Sequence, residues 1–453
     1  MFENVLGQSA SGQLIDDIRA NTLSRAMLFS GPPASGKGTA ALELGRVVSC
    51  ENAAEWNCAC PACARHRLLI HGDILCMGRK DFPAEIAASA AAFLREAALL
   101  EKSSSSPCRL LFIRSVRKLL LRFSPVLWED DPKAGKISSL VNSLEEELDE
   151  LSSFAGAKEA AEKLVEGIKK DAVKLQSEGM GETIPIAQLR RAAWWCRLAP
   201  SGREKLLVIE NADRMQEEGR NSLLKLLEEP SARLRIVLTS ARPGSLLPTI
   251  LSRLRPYRFN ARGADVEADV IKRVFRDKAA SEEAASTGLA SYLDSFLPVS
   301  AATLEALASY FAASVAYKAA LFAKHGDRSL PGEVVLLGKY SAPKAEAAGF
   351  GRPKEDSGPV IALILEKAGK FEVRSLFSRF LNYLLEQVSK SQRAVPTPPQ
   401  NKNDEMVLPR SSFFEIWAAC CGWAESAVGT YNLRPAPVLE KLFTDLSRGM
   451  AER

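Results

Sequence analysis

Short apolar runs that stop at a polar residue set the frame of this chain. Leu206-Leu207-Val208-Ile209 stops at Glu210, Ile236-Val237-Leu238 stops at Thr239, and Met27-Leu28-Phe29 stops at Ser30. Runs that stay apolar, with no polar residue at every second position, suit strands buried on both faces of a parallel sheet, which delivers its polar residues at the carboxyl ends. Between the runs at 206 and 236, Leu223, Leu224, Leu226 and Leu227 recur at helical spacing until Glu228-Glu229-Pro230 stops the helix. Strand then alternates with helix, which predicts an α/β fold with a parallel sheet. A chemical site is expected at Glu210, where the first of these runs ends.

After Phe259 the pattern turns almost wholly helical. Helices are predicted over about 266–276, 282–296 and 301–322, then a linker or irregular connection over 332–358. Helical periodicity resumes over 360–369 and 371–389, an exposed loop is expected over 393–409, and a helical end over 413–446. Trp417, Cys420, Cys421 and Trp423 in that end read as core.

Composition adds limits. The 453 residues suffice for two or three domains, and 60 basic against 55 acidic residues leave a net charge of only +5. Bulk charge therefore gives no nucleic-acid signal, and any DNA contact would be local or supplied by partners. No stretch reads as a membrane span and the start lacks the features of a signal peptide, so a cytoplasmic protein is expected. Four of nine cysteines fall within 50–63, which in a reducing compartment suggests metal rather than disulfides.

Two motifs carry chemistry. The run at 27–29 leads into Gly31-Pro32-Pro33-Ala34-Ser35-Gly36-Lys37, and a helix follows. This is the context of a P-loop, whose backbone N–H groups cradle phosphates while Lys37 reaches the β- and γ-phosphates of a nucleotide such as ATP. Gly38 stands where a serine or threonine hydroxyl usually contacts magnesium, which moves the first hydroxyl to Thr39. The ending Gly-Lys-Gly-Thr also resembles adenylate kinases, so a P-loop nucleotide kinase is an alternative. The second motif is Cys50, Cys58, Cys60 and Cys63, spaced C-x7-C-x-C-x2-C. Four thiolates suit a structural, tetrahedral zinc. His66 and His71 nearby are expected at the surface or outside the ligand set.

The order of these elements, with the strings ADRM at 212–215, NSLLKLLEEP at 221–230 and LLPTILSR at 246–253, resembles the AAA+ subunits of the bacterial DNA polymerase III clamp loader. The resemblance implies an AAA+ P-loop domain over 1–259, a helical lid over 260–330 and a helical collar for oligomerisation over 331–453. Residues 413–446, with Asn432, Pro435, Leu439, Glu440 and Leu442, are similar to the collar's closing helices. Phe2 and Val5-Leu6-Gly7-Gln8 resemble the N-terminal segment near the base of the nucleotide. A four-cysteine zinc module at 50–63 also fits the family, although its usual middle interval is C-x2-C.

The same resemblance assigns roles. Glu210 and Asn211 fall on the Walker B pair, Thr239 on sensor 1, and Arg253 on the arginine finger that completes a neighbouring subunit's nucleotide site. ATP-hydrolysing members carry Asp-Glu where this chain has Glu210-Asn211. Glu210 is still expected to reach magnesium through a water, whereas a neutral amide at 211 cannot accept a proton. With Gly38 and the lack of a long tail after the collar, this implies a delta-prime-type subunit with weak or lost ATPase. An active gamma/tau-type motor is the alternative within the family. The implied partners are the other subunits of a hetero-oligomeric ring and, through them, the sliding clamp and primer-template DNA.

The resemblance stops over about 82–181, where the family has a short connection. This insertion reads as helices over 83–102, 109–123, 137–151 and 157–176, with a serine linker at 103–106. Leu140, Leu144, Leu148 and Leu151, then Leu164, Val165, Ile168, Ala172 and Leu175, recur at helical spacing, predicting an antiparallel helical hairpin. Arg109, Arg114, Arg117, Lys118 and Arg122 form either the solvated face of a small bundle or a contact surface for DNA or a partner.

Overall fold

The computed structural model describes residues 1–97, 106–181, 183–215, 217–326, 329–356, 373–393, 411–429, 431 and 433–451. The expected helix at 360–369, residues 394–409 of the expected loop, residues 98–102 of the first insertion helix, residues 103–105 of the serine linker, and Asn432 lie outside the described residues. Two compact units are formed, Met1–Phe296 and Leu297–Arg453.

The first unit is built on five parallel strands: β1 (Ala26–Ser30), β2 (Ile74–Met77), β3 (Lys205–Ile209), β4 (Leu234–Ser240) and β5 (Arg255–Arg258). They lie in the order β2-β3-β4-β1-β5. With β1 and β4 adjacent, Ser30 pairs with Ser240 and Phe29 with Thr239, so the loop after β1 and the polar ends of β3 and β4 share one edge. Ligands of open α/β sheets sit at such carboxyl ends.

Strands β1–β4 are buried on both faces and divide their side chains between them, whereas the edge strand β5 buries only Tyr257. Leu28, Leu75, Met77, Leu207, Ile209, Ile236 and Leu238 enter one core. Met27, Phe29, Ile74, Cys76, Leu206, Val208 and Val237 enter another, with the Lys37–Ser49 helix and three of the clustered cysteines. The first core contains the insertion. Its helices Pro83–Ala97, Pro107–Leu120, Ala134–Ser153 and Lys158–Gly179 contribute Phe93, Phe112, Leu144, Leu148, Ile168 and Leu175 to the cluster that covers the sheet. The last two helices run antiparallel, as expected, with Lys136 paired to Glu178 at 2.9 Å and Glu147 beside Gly167.

Helices Ala264–Val274 and Lys278–Asp294 close the first unit, the latter broken at Gly288, where φ is +80°. The second unit is helical: Ala301–His325, Gly332–Ala347, Val373–Arg393, Ser411–Gly429 and Pro435–Ala451. Helix Ala301–His325, expected in the lid, packs here instead, with Leu304, Leu307, Phe311 and Val315 in the core of this unit. By length and composition it is the one described helix apolar enough to cross a membrane, against the expectation of none. Two-thirds of that window, 67%, is buried among its neighbours, as suits a core helix.

Residues 332–347 are helical where a linker was expected. Val334, Leu337, Ser341 and Ala345 recur at helical spacing and are buried, which outweighs the interruption at Pro343. At the C-terminal end, Trp417 and Cys421 are core, but Trp423 is 40% exposed and Cys420 half-buried.

Candidate functional site

Gly31 and Gly36 shape the loop after β1. A Cβ on Gly31 would lie 2.1 Å from the Phe259 carbonyl oxygen, and Gly36 caps the Lys37–Ser49 helix at φ +94°. Both positions call for glycine. Lys37 then folds back on its own loop. Its Nζ donates to the Gly31 and Pro32 carbonyls at 2.6 Å each and lies 3.3 Å from Ser35 Oγ. Burial lowers the Lys37 ammonium to about 8, against the pull of Glu210 and Asp213. Thr39 lies in the first turn of the same helix, half-buried. Arg262 crosses the loop, donating to Leu6 O at 3.0 Å and to Ala34 O.

Glu210 leaves β3 into this loop's neighbourhood, 6% exposed. Its Oε2 accepts a hydrogen bond from Arg122 Nη2 in a buried ion pair. Arg122 stands at the end of the insertion's basic helix. Phe82 lies under its guanidinium at 5.0 Å, and the Trp128 indole donates to its carbonyl at 3.0 Å. Burial raises the Glu210 carboxyl, but Arg122 and then Lys80 outweigh it and hold the group below its ordinary value. Lys80 and Lys118 in turn share Glu85.

Asn211 is in the left-handed region at φ +51°. Its side-chain amide donates to Arg79 O at 2.5 Å, and its backbone N–H donates to Thr239 Oγ1 at 3.2 Å. Thr239, expected at the sensor position, thus lies within hydrogen-bond distance of the Asn211 backbone. Magnesium fits this arrangement poorly. Glu210, expected to reach the ion through a water, already binds a guanidinium, and a Cβ on Gly38 would lie 2.5 Å from Glu210 Oε1. No hydroxyl-bearing side chain can be accommodated at 38 while Glu210 stays there.

Arg253 lies after the short helix Pro248–Leu251. Its guanidinium donates to Thr249 O at 2.7 Å and pairs with Glu228 at 2.8 Å, at the surface.

The four cysteines converge although their spacing is tight. Their Sγ atoms all lie within 4.8 Å of one another, with Cys50 to Cys58 at 3.6 Å and Cys50 to Cys60 at 3.9 Å. A tetrahedral thiolate site with bonds of about 2.3 Å sets its sulfurs roughly 3.8 Å apart, so the cluster suits such an ion. Cys60 caps helix Pro61–Leu68, where its sulfur accepts from Cys63 N. Burial raises the Cys60 thiol, yet the N–H groups of Cys63 and Glu51 bring it down to about 6. Burial pushes Cys63 up to about 12 despite Arg46, whose Nη1 lies 3.2 Å from its sulfur. Arg46 also pairs with Glu43 at 2.7 Å, both nearly inaccessible, and Glu43 accepts from Phe2 N at 3.3 Å. His66 and His71, expected at the surface or outside the ligand set, are not at the surface: they are buried and stacked at 4.1 Å outside the four sulfurs, and burial lowers His66 to about 3.

The basic residues of the insertion belong neither to a solvated face nor to an open contact surface. Arg109 caps Ser152 O and Phe154 O, Arg114 bonds the carbonyls of His66 and Arg67, and Arg117 bonds Leu68 O and pairs with Glu145. Lys118 and Arg122 meet Glu85 and Glu210. The sequence signal for these partners was present only as leucines between cations, which indicates a packed helix without saying what its charges meet.

The family described as "DNA polymerase III, delta subunit" matches residues 7–122 and 134–262. The chain is similar to DNA polymerase III subunit delta' of Pseudomonas aeruginosa, 32% identical over 28% of this chain and 38% of that protein. It is also similar to subunit delta' of Bacillus subtilis, 45% identical over 12% and 17%, and to subunit gamma/tau of Mycobacterium tuberculosis, 30% identical over 20% and 15%. The chain thus spans less than half the length of these curated relatives. A solved structure described as a DNA polymerase III gamma subunit-related protein from Thermotoga maritima aligns with 71% of this chain and 92% of its own. At 18% identity and a TM-score of 0.23, that likeness is too loose to carry an argument.

Proposed function

The chain belongs to the DNA polymerase III delta-subunit family, and from that premise we propose that it is a delta-prime-type subunit of the clamp loader. Its helical second unit holds its place in a hetero-oligomeric ring in the cytoplasm. Arg253 completes the nucleotide site of a neighbouring subunit, and the chain thereby assists ATP-driven loading of the sliding clamp onto primer-template DNA. A zinc ion on Cys50, Cys58, Cys60 and Cys63 has a structural role.

The observation that carries this reading is the commitment of both Walker B side chains. Glu210 is paired to Arg122, and Asn211 donates its amide to Arg79 O, so neither is free to polarise an attacking water. Loss of a positioned base removes about 10²–10⁴-fold of rate. An exposed Arg253, held among the described residues by Thr249 and Glu228, can exchange those partners for a phosphate in trans.

ATP turnover is the test, measured on the purified chain and on the reconstituted ring. The chain alone is expected to be nearly inert, and Arg253→Ala to lower the ring's turnover about 10³-fold or more with assembly intact. Unchanged ring turnover would refute the finger. Robust turnover of the chain alone, abolished by Lys37→Ala, would make it a gamma/tau-type motor.

A further inference from the structure

Arg122 stands on the carboxylate of Glu210, the acid that follows β3 and faces Gly38 of the loop. It arrives from the insertion, 88 residues before its partner Glu210, and both side chains are more than nine-tenths buried. Several contacts fix it: Glu210 at Nη2, Lys118 O at 2.5 Å from Nη1, the Phe82 ring beneath, and the Trp128 indole on its carbonyl. The cations beside it are already matched, since Lys80 and Lys118 both bind Glu85. Nothing nearby therefore draws Arg122 away from Glu210.

A second observation comes from the other side of the site. Glu210 Oε1 fills the space that a Cβ at position 38 would need, 2.5 Å from it. The missing hydroxyl and the added guanidinium are thus two halves of one arrangement. A magnesium ion needs near-octahedral oxygen ligands at about 2.0–2.1 Å, and one reached by Glu210 Oε1, directly or through water, would have to share that carboxylate with the guanidinium already on Oε2.

We propose that the insertion plugs the metal position of this P-loop, with Arg122 as a resident cation on Glu210 and Gly38 as the residue that makes room for it. The proposal rests on reading the loop as a nucleotide site, and it assigns the insertion a role: making that site indifferent to magnesium.

The test uses the full chain and N-methylanthraniloyl-ATP fluorescence, with and without added magnesium. Magnesium is expected to leave the wild type unchanged, whether its binding is measurable or nil. The double variant Arg122→Gln, Gly38→Ser should bind about 10–100-fold more tightly with magnesium than without. Magnesium-dependent binding by the wild type would overturn the proposal. So would indifference in a double variant whose circular dichroism and melting are native-like; that outcome would leave the inert-subunit reading standing, whereas wild-type turnover would remove it.

If Arg122→Gln does not fold, melting temperatures decide. Gly38→Ser should lower the wild type's melting temperature and cost less in the charge-free background Arg122→Gln, Glu210→Gln. Equal losses in the two backgrounds would break the link between 38 and 122.

Discussion

The two ends of the Lys37–Ser49 helix carry the chain's two ligand motifs, and they have fared differently. At its start, Gly31, Gly36 and Lys37 keep the P-loop pattern, but Lys37 is spent on the loop's own carbonyls and Glu210 on Arg122. At its end, Cys50 begins a set whose middle interval is short for the motif, yet four sulfurs meet within 4.8 Å. A string altered only at Gly38 thus surrounds side chains already engaged with one another, and an irregular string brings four sulfurs together. What a loop can bind is decided by where its neighbours send their charges, and those neighbours are far away in sequence. Arg46 links the cysteine end to the N-terminal segment, through Cys63 on one side and, on the other, through Glu43, which accepts from Phe2 N.

The contrast can be broken most forcibly at the cysteines. Cys63→Ser removes one sulfur of the set and Arg46's partner with it. Bound zinc should fall from one per chain toward none, with a loss of several kcal/mol out of the roughly 10–16 kcal/mol that structural zinc contributes in small modules. Zinc content and thermal melting read both effects, and a metal-free variant that melts like the parent would erase the distinction between the two ends.

Arg46→Met is next. It leaves Glu43 buried without its ion pair, at a cost of about 3–5 kcal/mol in thermal or denaturant unfolding. A cost below about 1 kcal/mol would mean that this pair does not anchor the cysteine end.

The smallest effect belongs to Lys37. Its folded value of about 8 lies below the ordinary 10.5, so between these limits the unfolded chain binds more protons. Stability should therefore rise with pH across that window and be flat below it as far as this group is concerned. Lys37→Met should abolish the rise, a difference of about 1 kcal/mol once solvent screening is allowed for. Identical pH profiles for the two proteins would show that Lys37 is not held against its loop in solution.

Strands, P-loop and cysteine set were legible in the sequence because each is a local pattern: an apolar run, a glycine spacing, a cluster of thiols. Even the helical hairpin of the insertion followed from two leucine-rich stripes. Arg122 was legible only as one cation among five. A basic helix with leucines between its charges reads the same whether those charges face water or an acid 88 residues away. The boundary after Phe296 escaped for a related reason, since helix Ala301–His325 has the periodicity of any buried helix and only its contacts assign it to the second unit. At 332–347 glycine, proline and lysine drew attention away from a 3–4–4 spacing of buried residues. The burial and stacking of His66 and His71 escaped because neither has a neighbour in sequence that announces the stack between them.

The sharing of one core between sheet and insertion also bears on how the chain can be cut. Leu75, Met77, Leu207 and Ile209 on that face of the sheet are at most 1% exposed, and insertion residues belong to the same cluster. Baring four such side chains forfeits about 6–12 kcal/mol at roughly 1.5–3 kcal/mol each. That is comparable to the whole margin of about 5–15 kcal/mol by which a domain stays folded. The hundred or so residues that look like an accessory in the sequence are therefore no longer detachable: excising them removes a wall of the domain, and point changes at Arg122 and Gly38 are the means of separating what the insertion does from what it holds up.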